Sequence, residues 1–245
     1  MSAAKAYGKD LAFIHHAAFG DFALKAAPSL LRLLSRSVGK RRPVVDLGCG
    51  SGIWARCLTE AGYRVIGIDI SPDMIRLARR HAPDAKFIVG SVLTAPLPPC
   101  AAVTALGEVV NYRFDPNNSR AQVRNLFRRV HAALDPGGLF VFDIAEPGRA
   151  ADTPAKDYWE GSDWAILREN TFDRKRSRLT RRIVSFRRIG NLYRRSEELH
   201  ELQLYSASDL AADLARAGFA PKTLAGYGGR ALPNGWSVIA ARKLH

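Results

Sequence analysis

Two short segments of this 245-residue chain combine residue types that can hold a nucleoside. The first is Val44–Trp54, VVDLGCGSGIW, and the second is Val65–Ser71, VIGIDIS. Gly48, Gly50 and Gly52 fall where a short apolar run gives way to a helical pattern. Glycine at such a turn lets the backbone approach a ligand closely and take angles that other residues avoid. Asp69 follows at the end of the next apolar run. A carboxylate there can accept hydrogen bonds from both hydroxyls of a ribose.

The spacing narrows the nucleoside. A dinucleotide site uses GxGxxG and leaves the helix N-terminus to hold a pyrophosphate. This chain has GxGxG, preceded by Asp46. An acid so close to the loop repels a pyrophosphate and suits a ligand carrying an ammonium group. S-adenosylmethionine has that charge logic: an α-amino group, a sulfonium and no phosphate.

On these residues the sequence resembles the class I S-adenosylmethionine-dependent methyltransferases, in particular the group acting on small molecules. The resemblance runs from about Tyr7 to the C-terminus. It is strongest in DLGCGSG (Asp46–Gly52), GIDIS (Gly67–Ser71) and LDPGGLFVFDI (Leu134–Ile144). It implies that Gly48, Cys49 and Gly50 border the methionine part of the cofactor, where the charge argument also puts Asp46, and that Asp69 holds its ribose. Ile70 would flank the adenine. Ser91 and Val92 match the position that sees the adenine ring, where the family often carries an acid. Leu106, Gly107 and Glu108 would line the methyl-donor channel.

Methyl transfer from a sulfonium is an in-line displacement, so the protein must chiefly hold donor and acceptor in line. An amine can arrive deprotonated, whereas a hydroxyl usually needs a general base. The loop after the fourth strand faces the ligand crevice of such folds, which makes Glu108, Asn111 and Tyr112 acceptor-side candidates. His200, in RRSEELHELQLY, shares a strand face with Arg194 and Glu198 and is a candidate base. The catalytic candidates are therefore Glu108, Tyr112 and His200. Tyr7, His15 and His16 are candidates for a covering segment, with packing or surface placement the plainer reading of the two histidines. Two base-methylating chemistries lose support. No (D/N)PP(Y/F) follows the fourth strand, which continues Leu106-Gly107-Glu108-Val109-Val110-Asn111-Tyr112, and Cys100 precedes that strand and reads as a small core residue.

The elements that would position these residues alternate. Apolar strand-like runs at Pro43–Leu47, Arg64–Ile68, Lys86–Val89, Ala101–Leu106 and Leu139–Ile144 are interleaved with helical patterns near Ile53–Ala61, after Ser71-Pro72-Asp73, and near Ser119–Leu134. This predicts a doubly wound α/β fold with a mainly parallel, seven-stranded sheet. The first forty residues read as helices, with Pro28 opening the second. Three β-prone stretches, Trp164–Phe172, Leu179–Arg188 and Leu192–Leu204, read as an antiparallel meander, followed by a helix from Ser206 and strands near Lys222–Leu224 and Trp236–Ala241. The expected organisation is one methyltransferase domain over 1–245, with a helical cap at 1–40 and inserted strands at 163–204.

Composition bounds the setting. No apolar run approaches the roughly 18 residues needed to cross a bilayer, and no secretory signal is read at the N-terminus. Cys49, Cys57 and Cys100 form no CxxC or Cys/His cluster, so neither a disulfide framework nor a metal site is expected, in keeping with a reducing cytoplasm. Net charge is +14, with 37 basic residues against 23 acidic. The run Arg174–Arg195 contains no acid. It reads as a solvated face with turns; the alternative is a patch for a phosphorylated substrate or RNA, which its sparse aromatics do not favour. The expected function is methyl transfer to oxygen or nitrogen of a small molecule. An RNA methyltransferase and a non-catalytic cofactor-binding partner subunit are the alternatives, with a nicotinamide oxidoreductase further behind.

Overall fold

The computed structural model describes residues 6–149, 155–228 and 230–244, so the first five residues of the expected cap lie outside it. Five strands run parallel in the order expected of a doubly wound sheet: β1 (Val44–Leu47), β2 (Val65–Asp69), β3 (Lys86–Val89), β4 (Cys100–Ala105) and β5 (Leu134–Ala145). Two later strands, β10 (Phe219–Leu224) and β13 (Trp236–Lys243), complete the sheet, whose order is β10-β13-β5-β4-β1-β2-β3. Only β13 runs against the rest, pairing antiparallel with both β5 and β10. The order reverses between β1 and β4, and their C-terminal ends open a crevice at that switch point.

Local chemistry sets the helix boundaries. Helix α3 (Ile53–Glu60) leaves the glycine loop, and α4 (Pro72–His81) starts at Ser71, whose hydroxyl accepts from the Met74 N–H at 3.1 Å, with Pro72 in the first turn. Ser119 caps α5 (Arg120–Ala133), and Ser206 caps α6 (Ala207–Arg216). Phe127, Phe140, Phe142 and Phe219 lie fully buried where α5 and the strand pair β4–β5 meet. Burying each aromatic ring contributes about 2–3 kcal/mol, which fixes α5 and α6 against one sheet face.

Two boundaries differ from expectation. Pro28 does not open the second helix but lies inside α2 (Asp21–Ser37), because Gly20 has already ended α1 (Lys9–Phe19). The apolar side of α2, through Ala26, Ala27, Leu30 and Leu34, packs on the sheet and outweighs the one lost backbone bond. Strand β5 begins at Leu134 rather than Leu139, the Asp135–Gly138 segment being absorbed as an irregularity in its pairing with β4.

The second sheet is antiparallel and four-stranded. Strand β6 (Lys156–Glu160), which had no strand prediction, adds to the edge of β7 (Trp164–Asp173), β8 (Arg178–Ile189) and β9 (Leu192–Gln203). Helix α1 lies against this sheet through Leu11, Ile14, Ile166 and Ile183. Asp10, buried on α1, accepts a two-pronged bond from Arg194 at 2.6 Å per contact and lies 3.4 Å from Arg187. A small pair, β11 (Gly226–Tyr227) and β12 (Arg230–Ala231), borders the crevice. Among the described residues no helix is long and apolar enough to cross a membrane.

Candidate active site

The glycine loop is tied to the next strand: the Gly48 and Cys49 N–H groups donate to the Ile68 carbonyl at 2.7 and 3.1 Å. Gly50 has φ +52°, and a Cβ built on it meets no atom within 4 Å, because it opens on the crevice. A side chain there would occupy the space beside the loop, which is what close approach of a ligand requires. Asp69 is fixed by two donors, the Gly50 N–H to Oδ2 at 2.9 Å and the Ser71 N–H to Oδ1 at 2.8 Å. Each oxygen keeps a further lone pair for a ligand hydroxyl. Burial pushes the Asp69 carboxyl above its ordinary range, opposed by those two donors.

Asp46 sits beneath the loop. The Thr104 hydroxyl donates to its Oδ1 at 2.9 Å, and the Trp54 indole N–H donates to the same hydroxyl at 3.1 Å. Burial raises the Asp46 carboxyl to about 7, with Thr104 opposing and Asp69 adding to the rise. Around the corner, Ile70 follows Asp69, while Ser91 and Val92 follow β3. The Ser91 hydroxyl donates to Asp115 Oδ2 at 2.5 Å. The acid that Ser91 itself lacks is thus supplied by another segment.

Across the crevice, Gly107 and Glu108 turn sharply, both with positive φ (+91° and +63°). A left-handed glutamate is unusual and needs enforcement. Asp143, fully buried on β5, supplies it by accepting from the Gly107 and Glu108 N–H groups, the Tyr227 hydroxyl and the Trp236 indole. The turn delivers the Glu108 carboxylate to two arginines: Arg181 Nη2 at 2.8 Å and Arg149 Nε at 3.0 Å. Burial opposes the Arg181 charge, but Glu108 and Tyr112 outweigh it, and its guanidinium is held more firmly protonated than usual. Arg181 Nη1 also donates to the Tyr112 hydroxyl at 3.0 Å, and that hydroxyl lies 3.1 Å from the Tyr7 hydroxyl.

His200 is fully buried on β9, with its Nε2 2.9 Å from Glu198 Oε2. The other Glu198 oxygen accepts the Gly8 N–H at 2.8 Å, so the carboxylate is clamped from both sides. With Nε2–H donating to the carboxylate, Nδ1 carries the lone pair, and Nδ1 has no hydrogen-bond partner among the described residues. Burial lowers the His200 imidazole below its ordinary range, despite Glu198. Tyr7 and Phe114 lie against it, ring centroids 4.8 Å away in each case.

One cavity of about 880 Å³ joins these parts. Asp46, Gly48, Cys49, Gly50, Asp69, Ile70, Ser91, Val92, Leu106 and Gly107 line it together with Glu108, Tyr112 and His200. Tyr7 and His15 line it too; burial, with His200 and His16 adding, lowers His15 to about 4. His16 packs outside, stacked on His81 at 3.8 Å and 2.9 Å from the Ser51 hydroxyl. Asn111 does not line the cavity: its amide bridges the Ala145 and Gln203 carbonyls, joining β5 to β9. Cys100 is buried at the start of β4, with its thiol pushed up to about 12, first by burial. Arg149, Arg181, Asp115 and Asp143 are not among the sequence-based site residues, and Glu198 enters there only as a neighbour of His200. Arg181 belongs to the basic run read as a solvated face, yet it turns inward, as Arg187 and Arg194 turn toward Asp10.

A family model for methyltransferase domains matches residues 44–138, which span the glycine loop, Asp69 and the Gly107–Tyr112 turn. Residues 44–138 are therefore a methyltransferase domain. Among its relatives, the malonyl-[acyl-carrier protein] O-methyltransferase of Serratia marcescens is 27% identical over 141 residues, covering 53% of this chain and 52% of that protein. The trans-aconitate 2-methyltransferase of Delftia acidovorans is 32% identical over 132 residues, 51% of this chain and 46% of that one. The chain thus spans about half the length of the curated relatives it matches. Among solved structures, a methyltransferase from Clostridium acetobutylicum superposes with a TM-score of 0.81 at 16% identity, covering 96% of this chain and 98% of that one. A sugar N-methyltransferase from Streptoalloteichus reaches 0.76 at 19% identity, covering 100% and 95%. At such identities the likeness is one of fold, and here it extends over the second sheet as well as the first.

Proposed function

We propose that this methyltransferase moves a methyl group from S-adenosylmethionine to a nitrogen or oxygen of a small molecule. The observation that carries this reading is the single cavity, bounded by the glycine loop and Asp69 at one end and by Tyr7, Tyr112 and His200 at the other. In this reading Asp69 receives the ribose hydroxyls, Asp46 faces the ammonium end, and Ile70 and Val92 enclose the adenine beside the Ser91–Asp115 pair. The cofactor supplies an electrophilic methyl carbon on a sulfonium. Glu108, committed to two guanidinium groups, is an anchor for the acceptor wall rather than a proton acceptor. His200, oriented by Glu198, takes the acceptor's proton at Nδ1. The chain works as one unit over 1–245, with the 1–40 and 163–204 segments supplying the acceptor side.

The acceptor class is tested by supplying methyl-labelled S-adenosylmethionine with three probe sets: amino sugars, phenols and polycarboxylates. Label transfer to one set supports the reading. Donor binding with no transfer to any acceptor, including a full metabolite extract, would favour a partner subunit instead.

Two outcomes follow from the charges. Asp46, raised to about 7 in the ligand-free chain, must release its proton to pair with an ammonium. Cofactor affinity is therefore expected to rise about tenfold between pH 6 and pH 8, with proton uptake by the buffer in calorimetry. A flat pH profile would remove Asp46 from the ammonium site. His200→Gln should lower kcat by about 10²–10⁴-fold while leaving cofactor affinity unchanged. Because burial lowers the imidazole, wild-type kcat should hold its plateau to below the usual histidine range before falling. An unaltered kcat in the variant would dismiss His200 as the base.

A further inference from the structure

Beside the main cavity, and sharing Asn118 with it, lies a second cleft of about 550 Å³. Arg113, Arg120, Lys175, Arg176 and Arg178 form its wall, with Asp209 as the acid among them. Some of this charge is already matched: Arg120 bonds Asp213 at 2.5 Å, and Arg176 lies 3.5 Å from Asp173. Among the described residues, Arg113, Lys175 and Arg178 have no carboxylate in ion-pair range. Arg178 Nε is buried, with no hydrogen-bond partner among those residues. Cations converging on one cleft repel each other unless an anion joins them.

Hydrogen bonds fix the backbone around the cleft. Its basic turn is held by Gln203, whose amide donates to the Arg176 and Ser177 carbonyls at 2.9 and 3.1 Å. The Leu204 N–H also donates to Ser177 O at 2.8 Å, and Ser177 takes φ +49°. On the other side, the Arg113 N–H donates to Glu201 O at 2.9 Å. Ser119, at the head of the fourteen-residue α5, adds a helix N-terminus to the wall. The first N–H of α6 is already held by Glu146, at 2.9 Å. Asn118, 7% exposed, lies between the two cavities; its amide nitrogen donates to Tyr112 O, and its Oδ1 has no partner among the described residues. An acceptor oxygen left bare at that junction calls for a donor on a ligand that passes it.

We propose that this cleft binds the phosphate group of a phosphorylated small molecule, with a hydroxyl or amine of the same ligand donating to Asn118. Phosphate suits the site better than a carboxylate, because its oxygens can meet guanidinium groups arriving from separate segments. That the phosphate is the handle of the methyl acceptor rests on the function proposed above; binding in the cleft does not.

The test is calorimetry of the intact chain with glucose 6-phosphate, glucose and inorganic phosphate, at low and at physiological salt. Glucose 6-phosphate should bind saturably, more tightly than inorganic phosphate, with no heat from glucose. Arg113→Ala/Arg178→Ala should weaken it by about tenfold or more, while Arg188→Ala, an exposed charge control, leaves it unchanged. S-adenosylmethionine binding, measured on the same double variant, reports that it is folded. The proposal is overturned if the sugar phosphate binds no better than glucose, or if the double variant binds as wild type does. It is equally overturned if an RNA oligonucleotide displaces the sugar phosphate with steep salt dependence, which would make the cleft part of a polyanion surface. Loss of S-adenosylmethionine binding in wild type with sugar-phosphate binding intact would sink the methyltransferase reading alone.

Discussion

Asp69→Ala is expected to weaken S-adenosylmethionine binding at least about a hundredfold, the consequence of losing two hydrogen bonds to a charged acceptor at about 1.5–3 kcal/mol each. The substitution also releases the Gly50 and Ser71 N–H groups, so it loosens the loop that approaches the ligand. Asp69→Asn separates these effects. It keeps one acceptor oxygen and the side-chain shape, and should fall between wild type and the alanine variant. Calorimetric titration checks both, with thermal melting to confirm that each variant is folded. Unchanged affinity in a folded Asp69→Ala would mean that the ribose is held elsewhere.

The second large effect concerns stability. Arg181→Ala removes one of two guanidinium groups from the buried Glu108 carboxylate and one donor from the Tyr112 hydroxyl. Breaking a buried pair by removing one partner costs about 3–5 kcal/mol, because the remaining charge loses its compensation. Chemical denaturation of Arg181→Ala should show a loss of that size. The double variant Glu108→Gln/Arg181→Met removes both charges of this pair but also withdraws the carboxylate from Arg149, so it should recover only part of the loss. If Arg181→Ala unfolds at the wild-type midpoint, Arg149 alone satisfies Glu108, and the anchor is not shared.

Legibility in the sequence followed the distance between cooperating residues. Ser71-Pro72-Asp73 announces a helix start because cap, ring and charge act within one turn, and the hydroxyl of Ser71 performs that role. The glycine loop was readable for the same reason, since its backbone angles depend on its own residues. The alternation of strands and helices was enough for the sheet, including its mainly parallel sense. Strand β6 was missed because Lys156–Glu160 is mostly exposed at the sheet edge, where little hydrophobic pattern is demanded. Pro28 misled because a proline signals a helix start locally, whereas the packing of α2 on the sheet is a long-range effect.

The acceptor wall was less legible. Arg181 and Glu108 meet across 73 positions of sequence. Their encounter depends on the register of β8 against β9, which sets Arg181 opposite His200. No local pattern encodes that register, so Arg181 was indistinguishable from its solvated neighbours. His200 and Glu198 were correctly placed on one strand face, because alternation along a strand is local. Arg194, on the same face, instead reaches Asp10 of α1. The Ser91–Asp115 pair shows the same limit: the sequence has Ser91 where related sequences often carry an acid, and the fold brings Asp115 to it from the segment after Tyr112.

The most direct measurement is a calorimetric titration of the intact chain with S-adenosylmethionine, S-adenosylhomocysteine and NAD⁺ under identical conditions. Saturable one-to-one binding of the first two, with none of NAD⁺, is the predicted result, since Asp46 and the GxGxG loop disfavour a pyrophosphate. Binding of NAD⁺ with no heat from either sulfur nucleoside would contradict it, and would make the crevice a dinucleotide site.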